Sequence, residues 1–160
     1  ERGRHGIVLP MPIFQNISMA SLGGTTRAGF LSEARELALA RRYAERLDLR
    51  AAALSVPAGT LSGGNQQKVV IGKWLATRPK VIILDEPTKG IDIGSKAAVH
   101  AFMSELAAEG LSVIMVSSEL PEILGMSDRV LVMREGRMAG FWDCNALDAE
   151  TLVRAATGNE

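Results

Sequence analysis

The sequence predicts an α/β fold in which a mostly parallel sheet carries helices on both faces, preceded by a helical portion. Three observations carry this. Apolar runs at 81–84, 112–116 and 130–134 are strand-sized and nearly continuous, as in strands buried on both sides. The segments between them repeat apolar residues at i, i+3, i+4 and i+7, the spacing of one helix face. The 160 residues are 47% hydrophobic, enough for one compact domain with an ordinary core.

Pro10, Pro12, Gly23, Gly24 and Gly29 punctuate the first thirty residues and leave room only for a short helix over 14–22. Leu37, Ala40, Ala44 and Leu47 then fall at helical spacing among charges, predicting an amphipathic helix over 32–47 capped by Ser32. A loop over 50–60, broken by Pro57 and Gly59, leads to a helix over 64–77. That helix has Val69, Val70, Lys73, Trp74 and Leu75 around its buried side, and Pro79 ends it. Strand 81–84 passes through Asp85-Glu86-Pro87-Thr88 into a helix over 95–109, with Val99, Phe102, Met103 and Leu106 as its inward stripe and Gly110 as its stop. Strand 112–116, a short helix over 121–124 and strand 130–134 follow. Glu135-Gly136 reads as a hairpin turn into 138–142, and Asp148 caps a last helix ending near Gly158.

Eighteen basic and eighteen acidic side chains leave no net charge, which argues against a broad basic face for nucleic acid or anionic lipid. The longest apolar runs fall far short of the roughly 20 residues a helix needs to cross a bilayer. Cys144 stands alone, which excludes an internal disulfide or a thiolate metal site and fits a packing role in a reducing compartment. The chain starts at Glu1 without a signal or transit pattern, and reads as a piece excised from a longer polypeptide.

Two segments carry chemistry. Ser62-Gly63-Gly64-Asn65 opens a helix, and a glycine pair there lets backbone N–H groups and the positive dipole end approach a phosphate closely. Taken alone, Ser-Gly-Gly is also an ordinary flexible turn. Asp85 ends an apolar strand, where a carboxylate is either salt-bridged or holds a cation. Glu86 lies one residue beyond, either as a solvent-facing acid or clear of the strand and able to take a proton from water. A loop able to wrap α/β-phosphates needs Gly, four residues, Gly-Lys and Ser or Thr. The sole Gly-Lys pair, Gly72-Lys73, is followed by Trp74 and has Gln67 where the leading glycine belongs.

These segments resemble the ABC ATPase family. Leu61 to Gln66 is similar to its signature sequence, Val81 to Glu86 to its Walker B strand, and Asp92 in Lys89-Gly90-Ile91-Asp92 to its D-loop. The D-loop wording is replaced while its spacing from Glu86 is kept, and an acid at a helix start is the sober alternative for Asp92. Leu-Ser-Gly-Gly-Asn-Gln-Gln-Lys, Asp-Glu-Pro-Thr-Lys-Gly-Ile-Asp and Ser-Ser-Glu-Leu together resemble the second half of the tandem ATPase subunit of bacterial importers for ribose, galactose, arabinose and related sugars. Residues 1–9 resemble the segment after the Q-loop strand of that half.

The resemblance implies an incomplete P-loop NTPase domain whose Walker A part is absent. Residues 1–78 would form the helical and signature subdomain, and 79–160 the C-terminal part of the RecA-like core. ATP and Mg²⁺ are the implied cofactors of the full-length protein. Asp85 would hold Mg²⁺ through water, and Glu86 would act as general base. Ser62, Gly63, Gly64 and Asn65 would close over the γ-phosphate bound to an opposite domain, and Asp92 would span the same seam. The family's γ-phosphate histidine is replaced by Ser118, which can donate a hydrogen bond but carries no positive charge. His5 and His100, in a loop and on a helix, read as surface or packing residues.

The partners implied are a second ABC ATPase domain, integral membrane permease subunits contacted around 14–54 and, indirectly, a periplasmic sugar-binding protein. No nucleic acid is expected. The implied location is peripheral, on the cytoplasmic face of the bacterial inner membrane. A catalytically silent regulatory or interaction domain on the same fold stays open because of Ser118, as does a non-transport ABC ATPase. The chain by itself is expected to show no ATPase activity and only weak nucleotide binding. In the family the Walker A strand lies between the strands matching 112–116 and 130–134. Its loss is expected to be met by direct pairing of those two, by self-association that fills the gap, or by an exchanged element.

Overall fold

The computed structural model describes residues 6–27 and 29–158, the side chains of residues 93 and 95 excepted. The chain divides into two compact units, Glu1–Ile82 with Thr88–Ile114, and Ile83–Pro87 with Met115–Glu160.

In the first unit, residues 9–14 are laced to 54–59 by backbone bonds. Ile13 N–H meets the Val56 carbonyl at 3.1 Å, Phe14 N–H that of Leu54 at 3.0 Å, and Ala58 N–H that of Met11 at 3.0 Å. The fully buried Asn16 locks this crossing. Its Nδ2 donates to the carbonyls of Val8, Met11 and Pro12, and its Oδ1 accepts the Val8 N–H at 2.8 Å. Four bonds on one amide leave it satisfied, as burial demands.

The helix expected over 14–22 is instead two short ones, α1 (Ile13–Ser18) and α2 (Leu22–Thr25). The break has a local cause: Ser21 N–H bonds the Ser18 carbonyl at 2.8 Å, and the buried Ser18 hydroxyl donates to Glu36 at 2.7 Å, which ties that point to the next helix. Strands β1 (Thr26–Arg27) and β2 (Phe30–Leu31), which the sequence reading lacked, form a small antiparallel hairpin, with Gly29 at φ +84 in its turn. Helix α3 (Glu33–Arg46) matches expectation except at its start. Ser32 is the N-cap residue, but its side chain makes no capping bond; its carbonyl instead receives the N–H groups of Arg35 and Glu36.

Helix α4 (Gly63–Leu75) packs on α1 and α3. Gly72 sets that approach. A Cβ there would meet Leu47 Cδ1 at 3.2 Å, Tyr43 Cβ at 3.5 Å and Ile17 Cγ1 at 3.8 Å. Val69, Ile71, Lys73, Leu75 and Ala76 flank it in the buried arc. At 3.6 residues per turn, Trp74 falls two steps past Gly72 and outside that arc. Its indole is accordingly 52% exposed, not on the buried side as expected. Lys73 is buried as expected. Its Nζ donates to the Gly6 carbonyl at 2.6 Å, and burial lowers its pKa from the ordinary lysine value.

Helix α5 (Ile93–Ala108) buries the expected stripe Val99, Phe102, Met103 and Leu106, and Gly110 turns the chain at φ +89. His100 on α5 is half-buried and engaged, while His5 lies outside the described residues.

Strands β3 (Val81–Asp85) and β4 (Ser112–Val116) pair. Ser112 N–H bonds the Lys80 carbonyl at one end, and Glu86 N–H bonds the Val116 carbonyl at the other. Like ends meet, so this pair is parallel.

In the second unit, α6 (Leu120–Met126) precedes β5 (Arg129–Arg134) and β6 (Arg137–Asp143), an antiparallel hairpin followed by α7 (Ala149–Thr157). Glu135 and Gly136 both have positive φ, +50 and +75, as a primed hairpin turn requires. A bulge separates Val132 from Met133, and the Trp142 ring lies where a Cβ on Gly140 would stand. Val130, Val132 and Leu152 form the core here, with Leu120, Ile123 and Trp142 against them. Asp148 caps α7 as expected, accepting Thr151 N–H at 2.8 Å; that bond holds its carboxyl below the usual carboxylate range. Cys144 packs, its thiol donating to the Leu124 carbonyl at 3.4 Å.

Among the described residues the strands make three separate two-stranded ladders, and none joins β4 to β5. Direct pairing across the expected gap is therefore not how this chain resolves it. Among the described residues each strand has one partner and an open edge. The strand faces are also half stripped: Ile83, Ile114, Leu131 and Met133 are all at least half exposed.

Gly72→Val places a branched side chain into the approach of α4 and is expected to cost about 1–3 kcal/mol of stability. Urea unfolding followed by circular dichroism reads this; an unchanged midpoint would show that the helices do not depend on that contact.

Candidate functional site

The glycine-rich turn lies at the surface of the first unit. Ser62 occupies the N-cap of α4 with φ −61 and ψ 158, and its hydroxyl accepts from Asn65 Nδ2 at 3.1 Å and from the Asn65 N–H at 3.5 Å. Asn65 Oδ1 in turn accepts the Arg50 N–H at 3.0 Å, and Gln66 Nε2 donates to the Leu61 carbonyl at 3.0 Å. Lys68 Nζ reaches the Asp48 carbonyl at 2.7 Å. The turn is thus held from both sides by side chains, leaving Gly63 exposed and Gly64 half-buried at the positive end of a 13-residue helix.

The acidic strand end has a different construction. Asp85 closes β3 and is exposed, because β3 alternates exposed and buried residues. This corrects the reading of a strand buried on both sides, and removes the desolvation that would have forced a partner on the carboxylate. Glu86 turns the chain with φ +47, a left-handed conformation uncommon for a side chain of its size, and its N–H bonds Val116 at 2.8 Å. Pro87 and Thr88 are then fully buried, anchoring the turn.

After β4, Ser117 donates its hydroxyl to the buried carboxylate of Glu122 and accepts the Glu119 N–H at 3.1 Å. Ser118 stands exposed between them. Asp85, Glu86 and Ser118 belong to one unit; Ser62, Gly63, Gly64, Asn65 and Asp92 belong to the other. Asp92 is exposed just before α5, where its carbonyl receives the Lys96 N–H at 2.9 Å.

Two supporting residues escaped the sequence reading. Arg50 reaches Asn65 through a backbone N–H, a contact that no side-chain pattern announces. Glu122 is a charged residue on the inward side of a short helix, and that misplaced charge was the available signal. An exposed carboxylate such as Asp85 offers oxygen-only ligation, which suits a hard cation held largely through water, as Mg²⁺ is. No group of three or more His, Cys, Asp or Glu gathers as a metal site among the described residues.

Comparison with solved structures gives the class. The chain superposes on a metal-chelate type ABC transporter in an inward-facing conformation with TM-score 0.79, covering 93% of this chain and 59% of that one at 18% identity. It also matches a dimeric ATP-binding cassette in a post-hydrolysis state bound to ADP and Pi with TM-score 0.73, covering 89% and 60% at 20% identity. The fold is that of an ABC-type ATP-binding cassette. The sequence family described as ABC transporter matches residues 10–89, and the chain belongs to that family.

Among curated relatives, it is 79% identical over 159 residues to the ribose import ATP-binding protein RbsA 2 of Rhizobium johnstonii, covering 99% of this chain and 31% of that protein. It is 75% identical to RbsA 1 of Rhizobium meliloti, over all of this chain and 32% of that protein. A more distant relative, RbsA of Geobacillus kaustophilus, is 46% identical over 99% of the chain and 32% of its own length. The chain thus spans about a third of the length of these relatives. No helix among the described residues is long and apolar enough to cross a membrane.

The strain at residue 86 yields a sharp expectation. Glu86→Gly removes the side chain that disfavours this conformation and should raise the unfolding free energy by about 0.5–1 kcal/mol. Chemical denaturation measures it; a loss of stability would mean that the Glu86 side chain supports the turn.

Proposed function

We propose that, within a full-length protein, this chain supplies one signature turn and one acidic strand end to the ATP sites formed between two ABC ATPase domains that power sugar import. The observation that carries this reading is the exposed, doubly braced glycine turn at the start of α4, an amide-rich surface shaped for a phosphate arriving from outside the domain. The printed names of the relatives, ribose import ATP-binding proteins, support the transport class.

In this reading residues 1–78 serve as helical and signature subdomain and 79–160 as part of the RecA-like core. Ser62, Gly63, Gly64 and Asn65 close over the γ-phosphate held by the partner domain, and Asp92 contributes to the same seam. ATP with Mg²⁺ supplies the scissile phosphoanhydride and its charge neutralisation. Asp85 binds the cation through water. Glu86 accepts the proton of the attacking water, a role typically worth ~10²–10⁴ in rate. Ser118 donates a hydrogen bond at the γ-phosphate position. The protein works at the cytoplasmic face of a bacterial inner membrane, with a second ATPase domain and permease subunits as direct partners and a periplasmic sugar-binding protein reached through them. The chain on its own, lacking a Walker A loop, neither hydrolyses ATP nor binds it tightly.

Gly64→Asp in the full-length protein tests the lid role, since it sets a carboxylate against an incoming phosphate. Steady-state hydrolysis is expected to fall by about 100-fold while nucleotide affinity at the altered domain's own site stays unchanged. Loss of that affinity instead would refute a role in trans.

One observation favours a second reading, in which the domain's own site is catalytically silent. Ser118 replaces a group able to carry positive charge beside the developing phosphate charge. Ser118→His in the full-length protein should then raise single-site turnover by about tenfold or more; no gain would count against silence arising from this position.

A further inference from the structure

We propose that the cleft at the C-terminal end of α4 is a binding site for a small organic phosphate, separate from the glycine turn and independent of its reading. The cleft lies wholly within the first unit, is open to solvent and has a volume of about 520 Å³. Its polar wall is built from Arg42, Tyr43 and Arg46 on α3, Arg78 and Lys80 after α4, and Glu109 after α5.

Four cations therefore face a single carboxylate, in a chain whose overall charge is zero. That carboxylate is already engaged, with Glu109 accepting from Arg46 at 2.5 Å. No carboxylate lies within ion-pair distance of Arg42, Arg78 or Lys80 among the described residues, so the cleft retains an uncompensated positive field. Guanidinium groups match phosphate oxygens in pairs.

Ring contacts orient two of these cations. The Arg42 guanidinium lies 5.8 Å from the Tyr43 ring centre, and that of Arg46 lies 5.9 Å from the Phe102 ring. The Tyr43 hydroxyl is itself fixed by donation to the Leu75 carbonyl at 2.9 Å. Arg78 sits at φ +53, a backbone conformation that glycine would adopt without strain, yet the position carries a long cation. Val81, half exposed, and Pro79 give the cleft an apolar wall, which a bare inorganic anion would leave unused. Charge, volume and that wall together point to a phosphate monoester with a compact organic body.

Nuclear magnetic resonance titration of the isotope-labelled 160-residue chain at low ionic strength, with phenyl phosphate and with inorganic phosphate, tests this. Saturable shifts at Tyr43, Arg42 and Arg78 are expected, with phenyl phosphate bound at least about fivefold more tightly than inorganic phosphate. Arg78→Gly removes the guanidinium while suiting the backbone, and Arg42→Ala keeps a strong helix former; each is expected to weaken binding by about tenfold. An unchanged spectrum elsewhere verifies that both variants fold. The proposal is overturned by equal affinity for the two probes, by shifts confined to residues 62–65, by affinity unaltered in both variants, or by no saturation up to about 20 mM probe.

Discussion

The closeness of α4 to α1 and α3 is the constraint on which the first unit depends. Gly72 has no side chain, so Ile17, Tyr43 and Leu47 come within contact of the α4 backbone, and Val69 and Leu75 are buried on either side. Each such buried aliphatic or aromatic side chain contributes about 1.5–3 kcal/mol relative to exposure. The Tyr43 hydroxyl bond to the Leu75 carbonyl fixes the far end of the same helix. Both ends of α4 are thereby placed by its middle. Its first turn projects Ser62 to Asn65 at the surface, and its last turn frames the basic cleft.

The second unit follows another logic, in which a hairpin is curved by a bulge and backed by two short helices. The acidic strand end and Ser118 are held there by few but specific contacts. Glu86 is bonded through its backbone, Ser117 through a buried carboxylate, and Asp85 and Ser118 remain exposed.

Much of this was legible in the sequence, and the legible parts share a physical origin. Val99, Phe102, Met103 and Leu106 repeat with the helix period; residues 113–116 of β4 are a bare apolar run; Glu135-Gly136 and Asp148 act through their own backbone neighbours. These are local effects, and local patterns report them. Trp74 was misjudged because large apolar side chains are assumed to face inward, whereas the buried arc centres on the smallest residue of the helix. The Ser32 cap was misjudged because the carbonyl of that residue, not its hydroxyl, meets the helix. Asn16, Arg50 and Glu122 work through partners that only the folded chain brings near. The separate ladders, and the exposure of Asp85 that comes with them, depend on which strands are present, a property of the whole sheet that no window of residues contains. The glycine turn and the acid pair stand out because their chemistry is written in consecutive residues; that Asp92 falls in the unit of the glycine turn rather than that of the acid pair is not written there.

The chain contains two tryptophans, and the fold assigns one to each unit. Trp74 stands largely in solvent with the Lys73 ammonium 5.0 Å from its ring centre, whereas Trp142 lies over Gly140 against the hairpin core. Their indoles occupy environments of different polarity, so red-edge and blue-edge emission distinguish the two halves of the molecule without any label. A soluble quencher reaches one fluorophore well before the other, giving each half its own built-in optical gauge.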